Sequence, residues 1–200
     1  MPGYAAIEDT GRTLRDLLNA ELQGIDVTGN QVTVELLSPG DITGNDVHLS
    51  LYLYRVEESA HLKNAEPRIE EGVARPPPLT LDLYYLLSAH PTDQNPDSAD
   101  SYEQHRILGR AMQVLYDNRV LRGVQPSGDD LHLSIQPQTT DELTGLWSTF
   151  GDSPYQPSVA YLVTPVVVES DHEAVVGRVT ERVIDPYVRS NGAGGDGGTP

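Results

Sequence analysis

Histidines, paired carboxylates and glycine-rich turns are common raw material for active sites, and this chain carries all three without assembling a motif. Its six histidines stand at 48, 61, 90, 105, 132 and 172. No two have the i, i+4 spacing that sets two imidazoles on one helical face for zinc, and there is no cysteine to complete a thiolate site. His48 and His132 fall in strand-like stretches, where a hydrogen-bonded or solvated ring is the expectation. Glu57-Glu58, Glu70-Glu71 and Asp129-Asp130 are adjacent acids, but neighbouring side chains point apart on a strand or helix, so they read as solvated loop faces. The chain has no Gly-x-Ser-x-Gly elbow, phosphate-binding Gly-Lys-Ser/Thr loop, dinucleotide glycine fingerprint or calcium loop. No catalytic, cofactor-binding or metal-ligating residue is therefore assigned, and nothing in the sequence requires an enzyme.

Contact chemistry is a stronger theme. Arg106 and Arg110, four apart, share a helical face, and Arg119 and Arg122 follow shortly after. Four of the twelve arginines within seventeen residues locally invert the sign of an acidic chain. Two readings stay open: internal pairing with Glu103 or Asp117 near a helix C-terminus, or a guanidinium patch that meets an acidic partner protein. Tyrosine is the second surplus, ten against one Phe and one Trp. Tyr52, Tyr54 and Tyr84 project from the strand faces opposite the leucines. They suit a protein interface, because tyrosine buries area while keeping a polar tip, or a second packing layer beneath helices.

Composition bounds the partners. Thirty acidic residues against thirteen basic ones leave a formal charge of −17, and Lys63 is the only lysine. Such a surface repels a phosphate backbone, so nucleic acid is not an expected partner. Either adaptation to molar salt or an acidic interaction surface, such as a DNA mimic, accounts for the charge. The scatter of acids along the chain and the near absence of lysine favour salt adaptation, since molar salt shrinks the Debye length to roughly 3 Å. The absence of cysteine excludes a disulfide scaffold. No apolar run approaches the roughly 18 residues of a membrane helix, and Met1-Pro2-Gly3-Tyr4 lacks the features of a signal peptide, so cytoplasmic synthesis without membrane contact is expected.

These residues need elements to hold them. Ile7, Leu14, Leu18 and Leu22 predict a helix over Tyr4–Leu22, ended by Gly24. Val32, Val34 and Leu36 alternate as a short strand. Val47–Val56 and Leu79–Ser88 are longer strands joined by a polar connection that ends in Pro76-Pro77-Pro78. A helix follows, with Ser101 and Gln104 as a candidate capping box and Ile107, Leu108, Ala111, Val114 and Leu115 as its core stripe. Leu131–Ile135 is another strand. Thr139 with Glu142 caps a short helix bearing Leu143, Leu146, Trp147 and Phe150. Val159–Val168 is a long strand whose Pro165 suits an edge or a bulge. Residues 175–188 are ambiguous between strand and helix. The elements lack a βαβ rhythm, so the fold class is α+β: an antiparallel or mixed sheet of about four to five strands flanked by helices. Residues 1–188 form one domain and 189–200 a flexible glycine-rich tail.

Leu51 to Val56, the run Leu79-Thr-Leu-Asp-Leu-Tyr-Tyr-Leu-Leu and His105-Arg-Ile-Leu-Gly-Arg-Ala-Met-Gln-Val-Leu115 together resemble the N-terminal domain of tube-cap or tail-terminator proteins of extracellular contractile injection systems. Leu62-Lys63-Asn64, Pro76 to Leu79, Thr140-Asp-Glu-Leu-Thr-Gly-Leu-Trp147 and Pro157-Ser-Val-Ala-Tyr161 extend the likeness over about Ala6 to Val168. The resemblance implies a phage-tail-terminator-like fold and a structural, non-enzymatic role. It also implies a homohexameric ring that ends tube and sheath polymerisation, with sheath protein and inner-tube protein as partners. Assembly would be cytoplasmic, in a particle released outside the cell. A terminator of a headed virus is the alternative within that class, and an acidic DNA mimic the alternative outside it. On this reading the strand Val159–Val168, placed at an edge, accepts a sheath arm by strand addition.

Overall fold

The computed structural model describes residues 3–24, 26, 27, 30–42, 46–60, 68–70, 73–91, 98–125, 127–170, 172, 174 and 175. Three helices are among them: α1 (Ala6–Glu21), α2 (Ser98–Asp117) and α3 (Thr140–Trp147). The strands are β1 (Asp26–Val27), β2 (Asn30–Gln31), β3 (Val34–Glu35), β4 (Leu49–Glu58), β5 (Arg68–Glu70), β6 (Val73–Arg75), β7 (Leu79–Ala89), β8 (Val120–Leu121), β9 (Leu131–Ile135), β10 (Ser158–Val168) and β11 (Ala174–Val175). The main sheet has the order β3-β4-β7-β10-β9-β8, with β3 parallel to β4 and every other pair antiparallel. β1 and β2 form a separate hairpin, and β11, β6 and β5 a separate three-stranded sheet.

Strand parity sorts the side chains onto two faces. In β7, Leu81, Leu83, Tyr85 and Leu87 point to one face, and in β4 Leu49 and Leu51 do the same. Leu14, Leu18 and Leu22 of the first helical segment and Ile107, Ala111, Val114 and Leu115 of α2 close over that face, so α1 and α2 together cover the leucine side. Each buried leucine contributes on the order of 1.5–3 kcal/mol to that packing. The opposite face carries Leu86, onto which Trp147 and Phe150 settle from α3 and the 3-10 turn Ser148–Phe150. The domain is therefore layered as two helices, sheet, and one short helix.

Several expectations hold in detail. Thr139 caps α3: its hydroxyl accepts from the Glu142 backbone N–H at 3.3 Å, while the Glu142 carboxylate accepts from the Thr139 N–H at 2.7 Å. Of the expected core stripes, Leu14, Leu18 and Leu22 and, on α2, Ile107, Ala111, Val114 and Leu115 are buried, while Ile7 and Leu108 are partly buried. Others are corrected. α2 begins at Ser98, so Ser101 lies inside the helix, and Gln104 is buried, with its amide donating to Gln156 Oε1 at 3.1 Å. The polar connection before Pro76 contains β5 and β6. Residues 189–200, the expected tail, lie outside the described residues, as do those after Val175 in the ambiguous stretch.

Of the two settings expected for Pro165, an edge or a bulge, the structure shows the irregularity and not the edge. β10 is interior, paired with β7 along its length and with β9 from Tyr161 to Thr164. A proline is tolerated there because the ladder to β7 shifts register between Val163 and Val166. On the β9 side, the Gln125 amide substitutes for a strand: it donates to the Pro165 carbonyl at 2.8 Å and accepts from the Val167 N–H at 2.7 Å. With both sides occupied, β10 has no vacant edge for an added sheath arm.

Candidate assembly surface

The seven residues singled out above fall in two places. Tyr52, Tyr54 and Tyr84 lie on the sheet face beneath α3. Phe150 meets the Tyr52 ring edge-on, with centroids 5.5 Å apart, and meets Trp147 likewise at 5.3 Å. Tyr54 and Tyr84 are tilted neighbours at 6.2 Å, and the Arg55 guanidinium lies 4.7 Å from the Tyr84 centroid. Burial pushes the Tyr54 phenol upward from its ordinary value, and its hydroxyl has no hydrogen-bond partner among the described residues. Arg55 is brought over Tyr84 by a register shift in β4 between Leu53 and Arg55, and it also pairs with Glu57.

That face is closed by a serine row. Ser50, Ser88 and Ser158 stand opposite one another on β4, β7 and β10. Ser158 accepts from the Trp147 indole N–H at 3.0 Å, and Ser50 Oγ lies 2.8 Å from His90 Nε2. A serine beside an imidazole is the start of a nucleophile–base pair, but here both residues are buried. Burial holds His90 down at about pKa 4, so it is a neutral core ring at neutral pH. His48 is likewise buried, accepts from the Thr33 N–H at 3.1 Å, and is lowered mainly by desolvation. His132 and His105 are exposed, and His61 lies outside the described residues. Among the described residues, no group of three or more His, Asp or Glu is placed to hold a metal ion. Nor is any described helix long and apolar enough to cross a membrane.

The arginines occupy the other place, on and just after α2. Arg106 lies 3.6 Å from Glu103, Arg110 lies 3.9 Å from Glu21 of α1 and donates to Gln113 at 3.0 Å, and Arg122 lies 3.7 Å from Asp130. Arg119 sits over the Tyr116 ring at 5.5 Å. These are surface pairs of small energy, and the Arg106 side chain remains 59% exposed.

Four exposed tyrosines escaped the sequence reading, Tyr4, Tyr155 and, on α2, Tyr102, 75% exposed, and Tyr116, 66% exposed. With Arg106, Gly109 and Gln113 the α2 pair follows a 4-3-4-3 spacing, one stripe of α2 directly opposite its buried stripe. That spacing was readable beforehand as the complement of the core stripe. Gly109 sits mid-stripe, where a Cβ would meet nothing within 4 Å. A glycine inside a helix costs roughly 1 kcal/mol relative to alanine, and no internal contact explains it here. Gly40 differs: its added Cβ would lie 2.9 Å from the Phe150 carbonyl, so close packing inside the chain requires it.

Among the described residues, a mixed sheet carries two helices on one face and one short helix on the other. The chain belongs to the family described as the Pvc16 N-terminal domain, whose model matches residues 9–182. Among solved structures it is similar to a protein described as the PVC sheath/tube terminator of an extracellular contractile injection system in its extended state, with 17% identity and a TM-score of 0.62 over 94% of this chain and 65% of that one. It is also similar to the tube-terminating cap of the anti-feeding prophage, with 18% identity and a TM-score of 0.57 over 88% of this chain and 60% of that one. The chain thus spans a little under two thirds of the length of these solved relatives. No curated protein matches its sequence.

Proposed function

We propose that the protein is a structural cap of a contractile injection particle. Several copies, six by resemblance to its family, form a ring on the distal end of the inner tube and sheath, end polymerisation there and anchor the extended sheath. The observation that carries this reading is the family match across residues 9–182, combined with a fold shared over 94% of the chain with a sheath/tube terminator. The contacts are assigned first to Arg106, Arg110, Arg119 and Arg122, with Tyr52, Tyr54 and Tyr84 contributing from the sheet face beneath α3. The work is done by binding, with no bond made or broken and no cofactor, metal or nucleic acid involved.

Charge sets the conditions. Copies of net charge −17 repel one another, so ring assembly is favoured by salt that screens the repulsion. The ring should dissociate or unfold below a few hundred millimolar KCl, and constant ring mass down to low salt in sedimentation experiments would refute the salt-adaptation reading. The function itself is tested by electron microscopy of gold-labelled protein in particles purified in molar KCl. Label at one end of headless rods supports the cap. Label at a neck between head and tail replaces it with a viral terminator, and label along the rods or on none contradicts it.

A further inference from the structure

The terminal strand of the main sheet, β3, is fastened by a histidine. Thr33, the residue before β3, is gripped through both of its backbone groups. Its N–H donates to His48 Nδ1 at 3.1 Å, and its carbonyl accepts from the His48 and Leu49 N–H groups, each at 3.1 Å. On the side of β3 away from β4, the Asn19 amide of α1 takes both polar groups of Val34. The Val34 N–H donates to Asn19 Oδ1 and Asn19 Nδ2 donates to the Val34 carbonyl, both at 3.0 Å. β3 pairs with β4 only at Val34 and Glu35, so few bonds hold it, and one of them ends on a titratable nitrogen.

Only an unprotonated Nδ1 can accept, so this bond requires a neutral His48 with its proton on Nε2. The ring is buried and stands across the strand pair from His90, whose N–H donates to the His48 carbonyl at 2.9 Å. The His90 ring is itself buried and engaged with Ser50. The acids that act on His48 are Glu103 of α2, which lies 3.6 Å from Arg106, and Asp46 just before β4. Desolvation outweighs both and holds the ring below its ordinary pKa.

We propose that His48 is an acid-operated clasp: protonation of Nδ1 turns its acceptor into a donor, releases the Thr33 N–H, frees β3 and leaves β4 as the edge of the sheet. Opening lets the ring meet water, where it takes up the proton that the closed state refuses. The closed state is therefore at full strength above the open-chain value of 6.5, and opening gains ground as pH falls below it. The bare backbone groups of an edge strand can pair with another extended chain, so access to this edge depends on pH.

The test uses the full chain at fixed molar KCl, with amide exchange at Thr33 and Val34 followed by NMR from pH 7 to pH 5. Protection of both amides, corrected for the intrinsic rate, should fall about tenfold or more over that range. His48→Asn keeps an acceptor oxygen near the Nδ1 position without titrating, so its protection should stay level within about twofold. His90→Gln should keep the wild-type fall, which separates the clasp from the second buried imidazole. Level protection in wild type overturns the proposal, as does a wild-type fall retained in His48→Asn or abolished by His90→Gln. A second readout needs no variant: the His48 ring nitrogen shifts should titrate in step with the loss of Thr33 protection. A His48 ring that stays neutral while Thr33 opens overturns the proposal.

Discussion

The chain displays tyrosine on two surfaces, and it treats them in opposite ways. Beneath α3, Tyr52 and Tyr54 pack among Leu86, Trp147 and Phe150, and Tyr84 lies under Arg55, so their rings are partly covered within the chain. On α2, Tyr102 and Tyr116 stand largely in solvent, Tyr116 with Arg119 over its ring, on either side of Gly109. The same residue type is thus partly covered by aromatic neighbours in one region and stands largely in solvent in the other. Residue type alone does not fix how much of a ring is covered; the element packed over it does.

The comparison breaks first at Trp147. Its truncation to alanine removes the ring from Phe150 and Tyr155 and leaves Ser158 without its indole donor. A loss of about 3–5 kcal/mol in urea unfolding at fixed KCl is expected, the range for a large aromatic taken from a core. A loss below 1 kcal/mol would mean that α3 lies loosely on the sheet. The second test is pH. His90 is held at about 4 when folded, against 6.5 in the open chain, so below pH 6.5 the unfolded state takes up a proton that the folded state refuses. Stability is full above pH 6.5, falls between 6.5 and about 4 by about 3 kcal/mol, and is flat in this group's contribution below that. His90→Gln should flatten that part of the profile, and an unchanged acid limb in the variant would contradict the assignment.

Gln125→Ala is expected to cost about 2 kcal/mol, because the Pro165 carbonyl and the Val167 N–H both lose their partner beside the sheet core. Hydrogen exchange should show the Val167 amide losing protection first. Tyr102→Ala and Tyr116→Ala have the smallest effect on the monomer, within about 0.5 kcal/mol, as exposed substitutions usually do. The comparison between the two tyrosine surfaces becomes sharp if those variants leave unfolding unchanged while Trp147→Ala lowers stability.

Much of this architecture was legible because burial writes itself into periodicity. The alternation Leu79, Leu81, Leu83, Tyr85, Leu87 and the stripe Ile107, Leu108, Ala111, Val114, Leu115 mark the leucine face and its helix, with Leu79 exposed and Leu108 partly buried as the exceptions. Thr139 and Glu142 announced α3 through paired capping bonds that depend only on neighbours four residues apart or closer. Long-range compensation was invisible. Pro165 reads locally as an edge or a bulge, and the approach of Gln125, forty residues earlier, which completes the bulged strand in the sheet interior, leaves no local trace. The two-residue strand β8 is too short to show alternation at all. For the candidate surface, the arginine cluster was legible, but its pairing to Glu21 and Asp130 was not, since those partners arrive from other segments.

The central claim, that this protein ends a contractile tube and sheath, is tested most directly by the length of the rods made with and without it. Particles from cells that lack the protein should show a broad length distribution with sheaths that contract or shed from one end, and restoring the chain should narrow the distribution and hold the sheath extended. Rods of uniform length and stably extended sheath in its absence would contradict the account.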